Sequence, residues 1–282
     1  MKLVTFATGG QAAIGRVEEG GILPLPFGFG SMIDLINHWP EREAQVRNVT
    51  QTTALEKLPL KEAILLPPIP RPGKILAIGL NYADHIREMG GEIPERQVWF
   101  CKQPTAANGP FQPIILPKVA REVDYEAELV AVIGKGGRHI SREEAPNHVF
   151  GYCVGNDVSV RDWQMATSQW MLGKSFDTHA PFGPWITTAD EIGDPHGLGV
   201  RAFVNGELRQ DSDTSNLVFD LWEQIALVSQ VMTLEPGDLI FTGTPGGVGM
   251  GFKPPRYLGD GDIVRIEIDR LGTIEAVCER EE

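Results

Sequence analysis

Glu126 and Glu128 in the run Val-Asp-Tyr-Glu-Ala-Glu-Leu-Val, and Asp157 in Gly-Asn-Asp-Val-Ser-Val-Arg-Asp-Trp-Gln, are the residues of this chain best suited to chemistry. Side chains at i and i+2 lie on one face of a strand. Glu126 and Glu128 therefore project together, while Val123, Tyr125, Ala127 and Leu129 point to the opposite face. Left unpaired and desolvated, two like charges on one surface cost several kcal/mol, so a cation or basic partners must compensate them. Asp157 follows a second strand-like run, His148 to Asn156, which a neighbouring strand would bring alongside. An all-oxygen donor set suits a hard ion, Mg²⁺, Mn²⁺ or Ca²⁺, rather than zinc, and three protein ligands leave coordination positions for a substrate. The same spacing also fits a solvated acidic strand edge.

The residues after Asp157 favour a site. Val158 onward reads as a helix start, and Arg161 and Gln164, three apart, share a helix face. Lys174 stands in Leu-Gly-Lys-Ser-Phe-Asp-Thr-His-Ala-Pro-Phe-Gly-Pro, a loop of small residues and prolines from which a long amine can reach inward. Singly, Arg161 and Lys174 read as surface charges; beside three acids they belong to a site. His85 follows the strand-like run Lys74 to Gly79, where a lone histidine is commonly structural. A short helix from Ala83 to Met89 would place His85 and Glu88 at i and i+3, with the carboxylate fixing the imidazole tautomer and raising its basicity. The glycine-rich stretch Thr242 to Gly251 lacks both the Gly-Lys-Ser/Thr of a phosphate loop and a dinucleotide fingerprint. It reads instead as a tight loop that lets backbone approach a small ligand.

Taken in order, the Glu-x-Glu pair, Asp157, Arg161 with Gln164, Gly-Lys-Ser-Phe-Asp-Thr and the later Leu-Glu-Pro-Gly-Asp-Leu-Ile-Phe-Thr-Gly-Thr-Pro-Gly-Gly-Val-Gly closely resemble the fumarylacetoacetate hydrolase family, from about Pro72 to the C-terminus. The resemblance implies that Glu126, Glu128 and Asp157 hold a divalent ion, Mg²⁺ or Mn²⁺, with Ca²⁺ also accepted. It implies that Lys174, Arg161 and Gln164 contact substrate or stabilise negative charge. By the same resemblance Tyr82, Gly243 and Thr244 lie at the substrate, and His85 with Glu88 activates water from a lid hinged at Gly90 and Gly91. The expected reaction is metal-dependent hydrolysis of a C–C bond in a 2,4-dioxo acid. The run Pro245 to Leu258 looks nearest to members acting on 2,4-diketo-3-deoxy sugar acids. Oxaloacetate decarboxylation or isomerisation on the same platform is the alternative, and a non-catalytic metal-stabilised binding protein is the alternative of another class. Where many relatives have Lys-Pro, this chain has Cys101-Lys102-Gln103-Pro104, an added residue near the pocket mouth.

The elements that must position these groups divide unequally. Residues 1–68 give short strands, Lys2 to Thr8 and Ala13 to Glu18, then helical stretches at Met32 to Trp39 and Glu41 to Val46, and read as a small N-terminal α/β domain. The proline-rich Leu66 to Pro72 marks a linker into residues 69–282, a run of β segments with one long helix from about Leu217 to Met232. The expected class is α+β, mostly β, with the mixed β-sandwich roll that the family implies. At 282 residues and 42% hydrophobic content the chain can bury a large core. Its net charge of −13 disfavours nucleic acid and anionic membranes. No run approaches eighteen apolar residues, so no membrane span is expected. Cys101, Cys153 and Cys278 are scattered as reduced thiols of a cytoplasmic protein would be. Asn48-Val49-Thr50 matches a glycosylation sequon without a secretion signal to give it meaning. The family implies a homodimer, for which Trp99 and Phe100 would be apolar contacts.

Overall fold

The segment Ala127–Ile133 is buried at every position, the pattern of a strand covered on both faces. The structure, a computed structural model describing residues 1–49 and 56–282, places it inside an 11-stranded mixed sheet. Across that sheet run Gly21–Pro24, Gln11–Glu18, Lys2–Thr8, Ala180–Thr188, Val149–Asn156, Ala127–Ile133, Leu239–Phe241, Ile75–Gly79 and Val98–Lys102, with two short strands paired at its flank. Neighbours are mostly antiparallel, but Leu239–Phe241 runs parallel to Ile75–Gly79. A second sheet of five strands is ordered Glu207–Asp213, Gly199–Val204, Ile263–Ile268, Gly272–Arg280, Ile114–Leu116.

Alternation along Ala127–Ile133 explains the layering. Leu129, Ala131 and Ile133 join Val200, Ala202, Val264, Ile266 and Ile274 of the second sheet in one core. Val130 and Val132 face the other way, into a core with Leu3, Leu35, Ile75 and Phe182. The fold is thus the mostly-β, mixed-sheet arrangement expected. The first 68 residues are not a separate unit, however. Lys2–Thr8 pairs antiparallel with Ala180–Thr188, and Leu3, Met32 and Leu35 share a core with Val130 and Phe182, so this segment extends the main sheet. The proline-rich stretch is a crossing within one core, not a gap between two.

Local signals set the helices. Met32–Asn37 starts at a capping box between Ser31 and Asp34, and Trp39–Asn48 follows directly. The long helix spans Leu221–Val231, starting later than its apolar spacing suggests, because Asp220 and Glu223 form its capping box. Leu217 is meanwhile held in a bridge to Tyr82. Among the described residues no helix is long and apolar enough to cross a membrane. Thr50 of the sequon lies outside the described residues.

Candidate active site

The three acids meet as the strand period requires. Ala127–Ile133 and Val149–Asn156 pair antiparallel with Glu128 opposite Gly155, and the Asp157 N–H donates to the Glu126 carbonyl at 2.9 Å. One carboxylate oxygen from each of Glu126, Glu128 and Asp157 lies within 4.8 Å of the others, and all three residues are buried. A solvated acidic edge is thereby excluded.

Basic side chains close around the trio. Lys174, at the end of the short helix Met171–Lys174 rather than in a loop, donates from Nζ to Glu126 Oε2 and Asp157 Oδ2, each at 2.7 Å. Lys102 donates to Asp157 Oδ1 at 2.6 Å and to the Val158 carbonyl at 3.1 Å. Arg161 opens the short helix Arg161–Gln164 and reaches Glu126 Oε1 at 2.7 Å from Nη1. The same Nη1 donates to Gln164 Oε1 at 2.9 Å, as their shared helix face predicts. Its Nε and Nη2 both donate to Asp124 Oδ2, at 3.0 and 2.9 Å. Arg161 is therefore held by two acids of the cluster.

Asp124 and Lys102 escape the sequence reading. Asp124 was within reach of the rule that found the others, since it lies at i−2 from Glu126 and joins the same face. Its carboxylate also accepts the N–H groups of Gly249 and Met250 at 2.7 and 3.0 Å, tying the glycine-rich loop to the acid cluster. Lys102 had only the Cys-Lys-Gln-Pro departure as a signal. The strand Val98–Lys102 carries it inward to Asp157, which lies far along the chain.

The cluster is short of positive charge. Four buried carboxylates, Asp124, Glu126, Glu128 and Asp157, face three cations, Lys102, Arg161 and Lys174. Burial opposes ionisation of Glu126, yet Lys174 and Arg161 hold its carboxyl below the usual range. Among the described residues Glu128 has no such partner: its carboxylate accepts the Gly243 N–H, at 2.8 Å. Burial, then the charges of Asp157 and Glu126, push its carboxyl well above the usual range. A divalent cation among these three acids would offset that negative charge and leave the cluster net positive toward an anionic ligand, and their all-oxygen donors fit a hard ion. Gly243 serves the acids more than the substrate: its φ of 101° favours glycine, and its N–H orients Glu128.

Above the acids lies a cavity of about 250 Å³. His85, Gln164, Arg161, Lys174 and Thr244 line it with Glu126 and Glu128; the rest of its wall is largely apolar. Helix Ala83–Glu88 forms as predicted and places His85 Nδ1 3.4 Å from Glu88 Oε2. Glu88 also accepts the Gly247 N–H at 3.0 Å, which clasps the helix to the glycine-rich loop, and Asp84 Oδ2 accepts the Ser212 hydroxyl of strand Glu207–Asp213 at 2.8 Å. Thr244 lines the cavity while its Oγ1 accepts from Gln210 Nε2 at 2.8 Å. Tyr82 does not line it: the ring is fully buried beneath the helix, its hydroxyl without a partner among the described residues. Phe100 is a wall of the cavity, packed edge-on to Trp170 at 5.6 Å with Lys174 Nζ 4.8 Å over its ring, not a surface aromatic. Trp99 is half-buried, with its indole N–H on Gln97. Among the described lining residues the apolar wall presents no array of polar side chains for the hydroxyls of a diketo-deoxy sugar acid.

This constellation agrees with a match of residues 74–278 to the C-terminal domain model of fumarylacetoacetate (FAA) hydrolase. The chain belongs to the fumarylacetoacetate hydrolase family. Among its relatives, oxaloacetate tautomerase FAHD2B, mitochondrial, of Bos taurus is 43% identical over 284 residues, covering 97% of this chain and 90% of that protein. The fumarylacetoacetate hydrolase of psychrophilic Exiguobacterium antarcticum has a similar structure over the full length of both chains, with TM-score 0.88 and 38% identity. So does maleylpyruvate hydrolase from Sphingobium sp. SYK-6, solved with manganese(II) and pyruvate, with TM-score 0.84 and 35% identity. Members of this family thus include both isomerising and hydrolytic enzymes by name, on a platform that binds a divalent metal in at least one of them.

Proposed function

We propose that this protein is a divalent-metal-dependent isomerase that interconverts the keto and enol forms of oxaloacetate or a close 2-oxo acid. The carrying observation is the 43% identity, over 97% of this chain, to a protein named as an oxaloacetate tautomerase. Hydrolysis of a C–C bond needs donors directed at a tetrahedral oxyanion, and two of the three Lys174 N–H groups are already committed to Glu126 and Asp157. Tautomerisation needs neither a nucleophilic water nor a leaving group. It needs one residue to move a proton and a means of stabilising negative charge on the C2 oxygen.

His85 is suited to the first task. With Nδ1–H directed at Glu88, Nε2 is the nitrogen left to take the proton from C3, and the C3–H electron pair becomes the C2–C3 double bond. The C2 oxygen gains the charge and takes a proton back from His85 Nε2, which regenerates the neutral imidazole, so the product is an isomer of the substrate. An ion held by Glu126, Glu128 and Asp157 would supply Lewis-acid stabilisation of that developing charge. Arg161 and Lys174 hold Glu126 and Asp157 in place, and Gly243 holds Glu128. The relationship to named oxaloacetate tautomerases over nearly the whole chain supports the same reaction.

C–C hydrolysis is the second reading, favoured by the His85–Glu88 pair and by the likeness to maleylpyruvate hydrolase. One experiment separates them. With Mn²⁺ present, loss of enol absorbance from oxaloacetate should accelerate without release of pyruvate. Acylpyruvates should not be cleaved. His85→Gln should lower the rate about 10²-fold or more while leaving Mn²⁺ affinity within about twofold. Cleavage of acylpyruvates with no effect on oxaloacetate would replace this proposal with the hydrolytic one.

A further inference from the structure

The cavity is polar at one end only. Arg161 and Lys174, the cations that line it, are each bonded to two carboxylates of the cluster. His85, Gln164 and Thr244 are likewise tied to Glu88, Arg161 and Gln210. The remaining wall carries Leu80, Met89, Phe100, Met165, Trp170 and Met250. These side chains arrive from separate elements. Phe100 lies on the edge strand of the sheet, and Trp170 packs on it and over Gly79, where a Cβ would stand only 2.3 Å from the indole. Met250 is held by the bond from its N–H to Asp124. Met89 and Met165 are 37% and 62% exposed, so the apolar lining continues to the mouth. Methionine there gives a soft wall that adapts to varied apolar shapes, and exposed apolar side chains gathered at a cavity mouth mark a binding surface.

We infer that the site selects 2-oxo acids whose far end is apolar, and rejects those carrying a second carboxylate several carbons from the keto group. This rests on the proposed 2-oxo acid reading and extends it to the substrate tail. A four-carbon diacid keeps its second carboxylate at the polar end. A longer one would place it against methionine and tryptophan, where no cation among the described lining residues is free to pair it and an unpaired buried charge is strongly disfavoured.

The test compares 2-oxohexanoate with 2-oxoadipate, which share a six-carbon chain and differ at the terminal group, by calorimetric titration into the Mn²⁺-loaded protein. 2-Oxohexanoate should bind about tenfold or more tightly than 2-oxoadipate. Met165→Lys, at an exposed position, should tighten 2-oxoadipate about threefold and weaken 2-oxohexanoate. Equal binding, or tighter binding of the diacid to the unaltered protein, overturns the inference while leaving the 2-oxo acid reading intact. Failure of both to bind, with oxaloacetate still isomerised, also overturns the inference alone. Failure of both together with no action on oxaloacetate overturns the inference and the reading on which it rests.

Discussion

Asp124→Asn removes one charge from the least visible part of the site and should have a large effect. The Asp124 carboxylate is fully buried and accepts from the N–H groups of Tyr125 and Gly249 on Oδ1, and from Met250 and two nitrogens of Arg161 on Oδ2. An asparagine has one acceptor atom, so in either orientation its amide group faces donors with a donor. The Arg161 guanidinium keeps Glu126 but loses its second anion. Breaking a buried ion pair from one side costs about 3–5 kcal/mol, a large part of the roughly 5–15 kcal/mol that holds a typical domain folded. Thermal unfolding should therefore move down by roughly 10 °C. Mn²⁺ affinity, measured by calorimetry, should fall because Glu126 and the Gly249–Met250 backbone lose a common anchor. The double variant with Arg161→Gln provides the stringent test. Once the guanidinium is absent, Asp124→Asn has no cation to strand, so the two losses should sum to about 2 kcal/mol more than the double variant shows. Strict additivity, or a shift below about 2 °C for Asp124→Asn, would refute the reasoning.

Two further outcomes follow from the same charge balance. The Glu128 carboxyl is raised in the folded protein, so its contribution to stability is present at low pH and lost as pH rises through the raised value; metal-free protein should lose stability more steeply than Glu128→Gln as pH rises above the ordinary carboxylate range, and Mn²⁺ should remove that pH dependence from the melting curves of the unaltered protein. Gly243→Ala forces a side chain onto a φ of 101° and to 2.8 Å from the Asn81 Cβ, so it should cost about 1–3 kcal/mol in denaturant unfolding and weaken Mn²⁺ binding; an unchanged midpoint and affinity would remove Gly243 from the support of Glu128.

Much of the site follows from short-range geometry and so was legible in the chain itself. Glu126 and Glu128 share a face because strand side chains alternate, and His85–Glu88 and Arg161–Gln164 meet because helix residues three apart are neighbours. Oxygen ligands alone pointed to a hard cation, and the ordered motifs pointed to the family. What depends on partners from elsewhere in the fold was not legible. Spacing does not reveal that Asp124 and Glu126 hold Arg161, and Phe100 reads as a surface residue although Trp170 and Lys174 close on it.

Spacing therefore determined which side chains of one element point the same way, because backbone geometry sets that within a few residues. Tertiary structure alone decided which buried charges neutralise one another, joining Lys102 to Asp157, and it also set the Gly247 N–H against Glu88 and brought the N-terminal strand onto the main sheet. The physical reason is range: periodicity orients neighbours along the chain, but the energy of a buried charge depends on distance through space, which only the packed fold sets.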